Sequence, residues 1–206
     1  FLNNQKPYMI LRCKRKGWYL GENMYLWLAA FIYMLFISLV SLIAVLPTVS
    51  TNRLWGEIAG DFVVNQRSLI PVYTWGLVMP VRVIQNYYPL AAFMYTFITG
   101  WLSIVFIGKL MYLLNLKIGK KTIGISAAVF FIMLDPVAVY FTNFKQYGLF
   151  YVSPINWSSL ENINTVSGYP HLSGEYMFTM YIILIGVESL LSYICSIKMD
   201  IEVKMI

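Results

Sequence analysis

The stretch MYLWLAAFIYMLFISLVSLIAVLP, residues 24–47, decides the fold. It contains no charged residue, and a helix of that length, at about 1.5 Å per residue, crosses a hydrocarbon core of about 30 Å. Immediately before it stand Arg12, Lys14, Arg15 and Lys16. Lys and Arg translocate poorly, so this cluster assigns that end of the span to the cytoplasmic side.

The rest of the chain agrees with lipid as the solvent. Of 206 residues, 59% are hydrophobic and only 12% charged, less polar surface than a soluble core of this size needs around it. The net charge of +6 sits in short segments beside apolar runs, which is a topological pattern and no nucleic-acid footprint. Cys13 and Cys195 both fall near cytoplasmic ends, where thiols stay reduced, so no disulfide is expected. The polar, basic residues 1–23 lack a clean small-residue cleavage site, which argues against a signal peptide.

Four segments are long and apolar enough to span: 24–46, 89–115, 122–142 and 175–196. The expected fold is an all-α integral membrane protein with about four transmembrane helices. The basic loop 116–121 holds Lys117, Lys120 and Lys121, and the tail 197–206 holds Lys198 and Lys204. Placing these and residues 1–23 inside leaves loops 47–88 and 143–174 outside, and an even number of spans satisfies every loop. Both outer loops are rich in aromatics and proline, with Trp75, Pro80 and Tyr88 in the first and Tyr151, Pro154 and Trp157 in the second. They are expected as external, partly re-entrant helices packed on the spans.

Three ionisable residues fall within apolar runs. Asp135 precedes Pro136, and two readings stand: an intramembrane site or hinge, or a helix that ends near Leu134 with Asp135 capping an external segment. Lys109 and Glu188 sit at similar depth, about two turns from the cytoplasmic ends of their spans, so pairing would lower the cost of burying both. Lys109 is expected to snorkel to the inner headgroups on its long stem. Glu188 is too short for that and is expected to face a partner or a water-lined surface.

Soluble-enzyme signatures are absent. Gly119-Lys120-Lys121-Thr122 fails as a phosphate loop, because position 114 is Leu and Lys121 occupies the Ser/Thr position. His171 is the only histidine, so zinc ligation of the usual kind has no ligand set, and no G-x-S-x-G elbow occurs. Asn156-Trp157-Ser158 is a glycosylation sequon, meaningful only in a eukaryotic source.

Residues 8–18, YMILRCKRKGW, together with the span that follows, resemble a cytoplasmic segment of bacterial exporter permeases, the membrane subunits of type-two ATP-binding-cassette transporters. Residues 151–160, YVSPINWSSL, resemble the Ser-Pro-x-x-Trp-like element in the external helices before the last span of those proteins. The resemblance implies a multi-pass protein of the bacterial cytoplasmic membrane and a translocation path formed with a second permease subunit. It further implies that a separate ATPase subunit binds ATP and Mg, leaving this chain without a cofactor or catalytic residue. Arg12, Lys14, Arg15, Lys16 and Trp18 become candidates for the ATPase contact, against the plainer reading of a topology signal with a Trp anchor. Tyr151, Pro154 and Trp157 become candidates for an external lid. Family members usually have six spans, so the resemblance also implies a pair of spans before Phe1. Two other functions remain open from the residues: a membrane-embedded enzyme using Asp135, Glu188 and His171, or a small ion-coupled carrier using the Lys109–Glu188 pair.

Overall fold

A computed structural model describes residues 2–45, 55, 81–118, 121–141, 151–160 and 173–198. Among these the chain is all-helical: α1 (Leu2–Val45), α2 (Val81–Asn86), α3 (Pro89–Ile118), α4 (Lys121–Phe141), a single 3-10 turn (Asn156–Ser158) and α5 (Gly174–Lys198). Three helices are long and apolar enough to cross a membrane: α1 over Arg12–Ala44, α3, and α5. The described apolar stretch of α4, Thr122–Leu134, is shorter. The protein is a multi-pass, all-α membrane protein.

α3 is the centre of the bundle and packs against α1, α4 and α5. Ring contacts Trp18–Tyr112, Trp27–Trp101 and Phe31–Phe97 run α1 antiparallel to α3. Tyr95–Phe178 and Ser103–Tyr181 run α5 parallel to α3, and Phe106–Phe131 turns α4 back against it. The basic half of α1, the last turn of α3, the first turn of α4 and the last turn of α5 therefore share one end of the bundle.

The buried stripe of α5 is Met177, Tyr181, Ile185, Glu188, Ser192 and Ser196, spaced by three and four residues so that it presents one face to its neighbours. Outside that stripe the helices carry exposed Leu, Ile, Val, Met and Phe, the surface that lipid wets. Hydroxyls inside the bundle satisfy themselves on the preceding turn. Thr99 Oγ1 donates to the Tyr95 carbonyl and Ser192 Oγ to Glu188, so few polar atoms need partners on other helices.

The α3–α4 contact is a close backbone approach. A Cβ at Gly124 would lie 2.8 Å from the Met111 carbonyl oxygen and 2.5 Å from Asn115 Oδ1, and the next residue on that face, Ala128, is also small and buried. Small residues four apart let membrane helices pack this tightly.

α4 runs through Asp135 and Pro136 to Phe141, so the helix end near Leu134 is not the arrangement found. Pro136 removes only one backbone donor, which a transmembrane helix tolerates. The Asp135 side chain lies outside the described residues, as do His171 and the segment 56–80.

Candidate functional site

Two polar clusters lie at opposite ends of the α3–α5 contact. At the basic end, Lys109 of α3 is 3% exposed and Glu188 of α5 is 6% exposed. Parallel helices in register bring them to the same depth. The Lys109 ammonium does not snorkel outward: it donates to Ser189 Oγ and lies 5.7 Å from the centroid of the Trp27 ring. Snorkelling loses here because a hydroxyl acceptor and an aromatic face meet the cation inside the bundle.

Ser189 joins all three helices. Its hydroxyl accepts from Lys109 and donates to the Ile185 carbonyl at 2.5 Å, while its own carbonyl accepts from Tyr19 Oη at 2.7 Å. Glu188 Oε2 is buried without a hydrogen-bond partner among the described residues, and so is Tyr112 Oη, one helical turn beyond Lys109.

Arg15, one residue beyond a break in α1, donates to the carbonyl of Ile197 in the last turn of α5. The break is at Lys14, where φ is 60° and ψ 158°, a region that side chains other than glycine rarely occupy. Arg12, Lys14 and Lys16 are exposed beside it, as are Lys117 and Lys198 at the ends of α3 and α5. Trp18 is buried, with its ring 6.4 Å from that of Tyr112. The five residues 12, 14, 15, 16 and 18 thus divide: two grip the bundle and three face outward.

At the opposite end, residues 151–160 sit on the first turns of α5. Trp157 is 1% exposed, and its ring meets Tyr181 edge-on at 5.2 Å and Tyr176 at 6.1 Å. Tyr176 Oη donates to the Tyr151 carbonyl, and Tyr181 Oη donates to the Pro154 carbonyl. Tyr151, Pro154 and Trp157 are therefore fastened to α5, and through Ser103 to α3, as a cap.

Sequence reasoning picked out Lys109, Glu188 and the aromatic cap, and the structure buries the first two inside the bundle. It missed Trp27, Ser189 and Tyr181. The four-residue steps Tyr181–Ile185–Ser189 and Glu188–Ser192–Ser196 were a readable signal for a polar face on α5. Trp27 resembled any other residue of an apolar run.

No family model, curated protein or solved structure matches this chain.

Proposed function

We propose that this chain is a permease subunit of an ATP-driven exporter of the type-two ATP-binding-cassette kind. It works with a second permease subunit and is powered by a separate ATPase subunit. The membrane is the bacterial cytoplasmic membrane, with the basic end of the bundle on the cytoplasmic side.

The observation that carries this reading is the bond from Arg15 to Ile197 beside the break at Lys14. A docked ATPase needs a lever that moves the spans. Here the helical residues before Lys14 have their own direction, while the next residue grips the far end of α5 and Tyr19 grips Ser189 one turn further on. A push on the basic segment moves α1 and α5 together, and α5 carries the cap of residues 151–160 with it. The exposed Arg12, Lys14 and Lys16 supply charge for the contact, and ATP and Mg belong to the partner.

The test is affinity purification of the tagged, full subunit in mild detergent, with mass spectrometry of what accompanies it. Recovery of a P-loop ATPase in near-equal amount is expected, and the complex should hydrolyse ATP faster than the ATPase alone. Repeated recovery of the subunit by itself, in more than one detergent, overturns the reading.

A second reading, a membrane-embedded enzyme or a small ion-coupled carrier, draws on the buried Glu188 with its unpartnered oxygen. It requires activity from the isolated chain that Glu188→Gln abolishes.

A further inference from the structure

Four oxygens form a chain where the cap meets the bundle: the Thr99 carbonyl, Ser103 Oγ, Tyr181 Oη and the Pro154 carbonyl. The successive separations are 3.0, 2.5 and 2.5 Å, each of hydrogen-bonding length. The two ends are carbonyls, which only accept, and the two middle members are hydroxyls with one proton each. Three links therefore share two protons, and one link is always without.

With Tyr181 donating to Pro154, the Ser103 proton serves Tyr181, and the Thr99 link is the empty one. The Thr99 carbonyl loses little by this, because it already accepts the Ser103 N–H within α3. In the reverse arrangement Ser103 donates to Thr99 and Tyr181 donates to Ser103. Both hydroxyls are again bonded, and the Pro154 carbonyl is released. The two arrangements differ by rotation of two O–H bonds, with no movement of a heavier atom.

This bears on how the cap comes off. Tyr181 is fully buried, and a buried phenol deprived of its acceptor carries the whole desolvation penalty of the group. Were Pro154 its only acceptor, lifting residues 151–160 would strand it. Ser103, on a different helix and already within reach, is a second acceptor, and the freed carbonyl turns to water at that end of the bundle. The closed arrangement stays favoured, because the Thr99 link is the longest of the three and shares its carbonyl with a backbone donor.

We propose that Ser103 and Tyr181 form a hydroxyl latch on the cap, closed when their protons point toward Pro154 and open when they point toward Thr99. Residues 151–160 can then part from α5 without leaving a buried hydroxyl unbonded. The permease reading enters only in making the cap an external gate; the latch belongs to the junction of α3, α5 and the cap.

The experiment is amide hydrogen–deuterium exchange of the full chain in phosphatidylcholine nanodiscs, read over residues 151–160, with thermal unfolding measured beside it. The two partners of one hydrogen bond should act oppositely. Ser103→Ala removes the second acceptor and leaves Tyr181 committed to Pro154. Exchange in the cap should slow by about two- to tenfold, although the bundle as a whole melts lower for the bond it has lost. Tyr181→Phe removes the latch and should speed exchange by a similar factor, while Ser103→Thr keeps the hydroxyl and should match the unmodified chain. Cap exchange that quickens or stays the same in Ser103→Ala overturns the proposal, as does a Ser103→Thr variant as slow as Ser103→Ala. Should Ser103→Ala not fold, Ser103→Cys asks the same question, since a thiol is a weak acceptor, and exchange no slower than in the unmodified chain is the overturning result. No ATPase is present in this measurement, so failure to recover an ATPase partner leaves its outcome unaffected.

Discussion

Tyr181 Oη donates to the carbonyl of Pro154 at 2.5 Å, tying the segment before the last helix to the middle of the bundle. Ser103 Oγ lies 2.5 Å from the same phenol oxygen, so α3, α5 and the cap meet at one buried atom. Tyr181→Phe keeps the ring that packs against Trp157 and removes only this junction. It should cost about 1–3 kcal/mol, because the Pro154 carbonyl is left buried without its donor. Thermal unfolding in nanodiscs measures the loss, and protease cleavage within residues 151–160 should rise in parallel.

Lys109→Met should destabilise the chain by about 1–3 kcal/mol, because the Ser189 hydroxyl loses the donor that reaches it from α3. Ser189→Ala removes the other partner, and the double variant should cost less than the sum of the two. Unfolding of the four proteins in mixed micelles closes the cycle, and strict additivity would mean that the two side chains do not interact.

Gly124→Ala places a methyl group 2.8 Å from the Met111 carbonyl oxygen, a backbone atom that cannot move aside. A loss of about 1–3 kcal/mol is expected from overpacking. Gly21→Ala is the control. Nothing lies within 4 Å of its added carbon, so the change should be neutral or stabilising, as alanine is in an open helix.

At Lys14 the usual order of helix propensities should invert. In a regular helix alanine is better than glycine by about 1 kcal/mol. With φ at 60° and ψ at 158°, Lys14→Gly should instead be the more stable of the two neutral variants by a similar amount. Both remove the charge, so the comparison isolates the backbone. Equal stability, or alanine ahead, would mean that α1 passes through position 14 without a break.

The all-helical membrane fold was legible because it depends on run length and charge, which the sequence displays directly. Lys109 and Glu188 stood out because an ion in an apolar run is costly wherever it is found. Their surroundings were hidden for a physical reason. Trp27 acquires meaning only from helix rotation and register, set by packing details such as the close approach at Gly124 that no periodicity encodes. Asp135 left two readings open: Asp-Pro marks a boundary in water, but in a bilayer an interrupted helix exposes more backbone than one missing bond does. α4 therefore runs on through it.

The order in which the helices are made adds a demand on biogenesis. Lys109 leaves the ribosome 80 residues before Ser189, a delay of roughly 4–16 s at ordinary rates of synthesis. During that interval α3 is in the membrane with a cation whose acceptor does not yet exist. The four-carbon stem has to keep its ammonium among the headgroups until α5 arrives, and only then can it withdraw into the bundle. A chain that stops before α5 is thus left with a charge at the membrane edge, which the complete bundle withdraws from it.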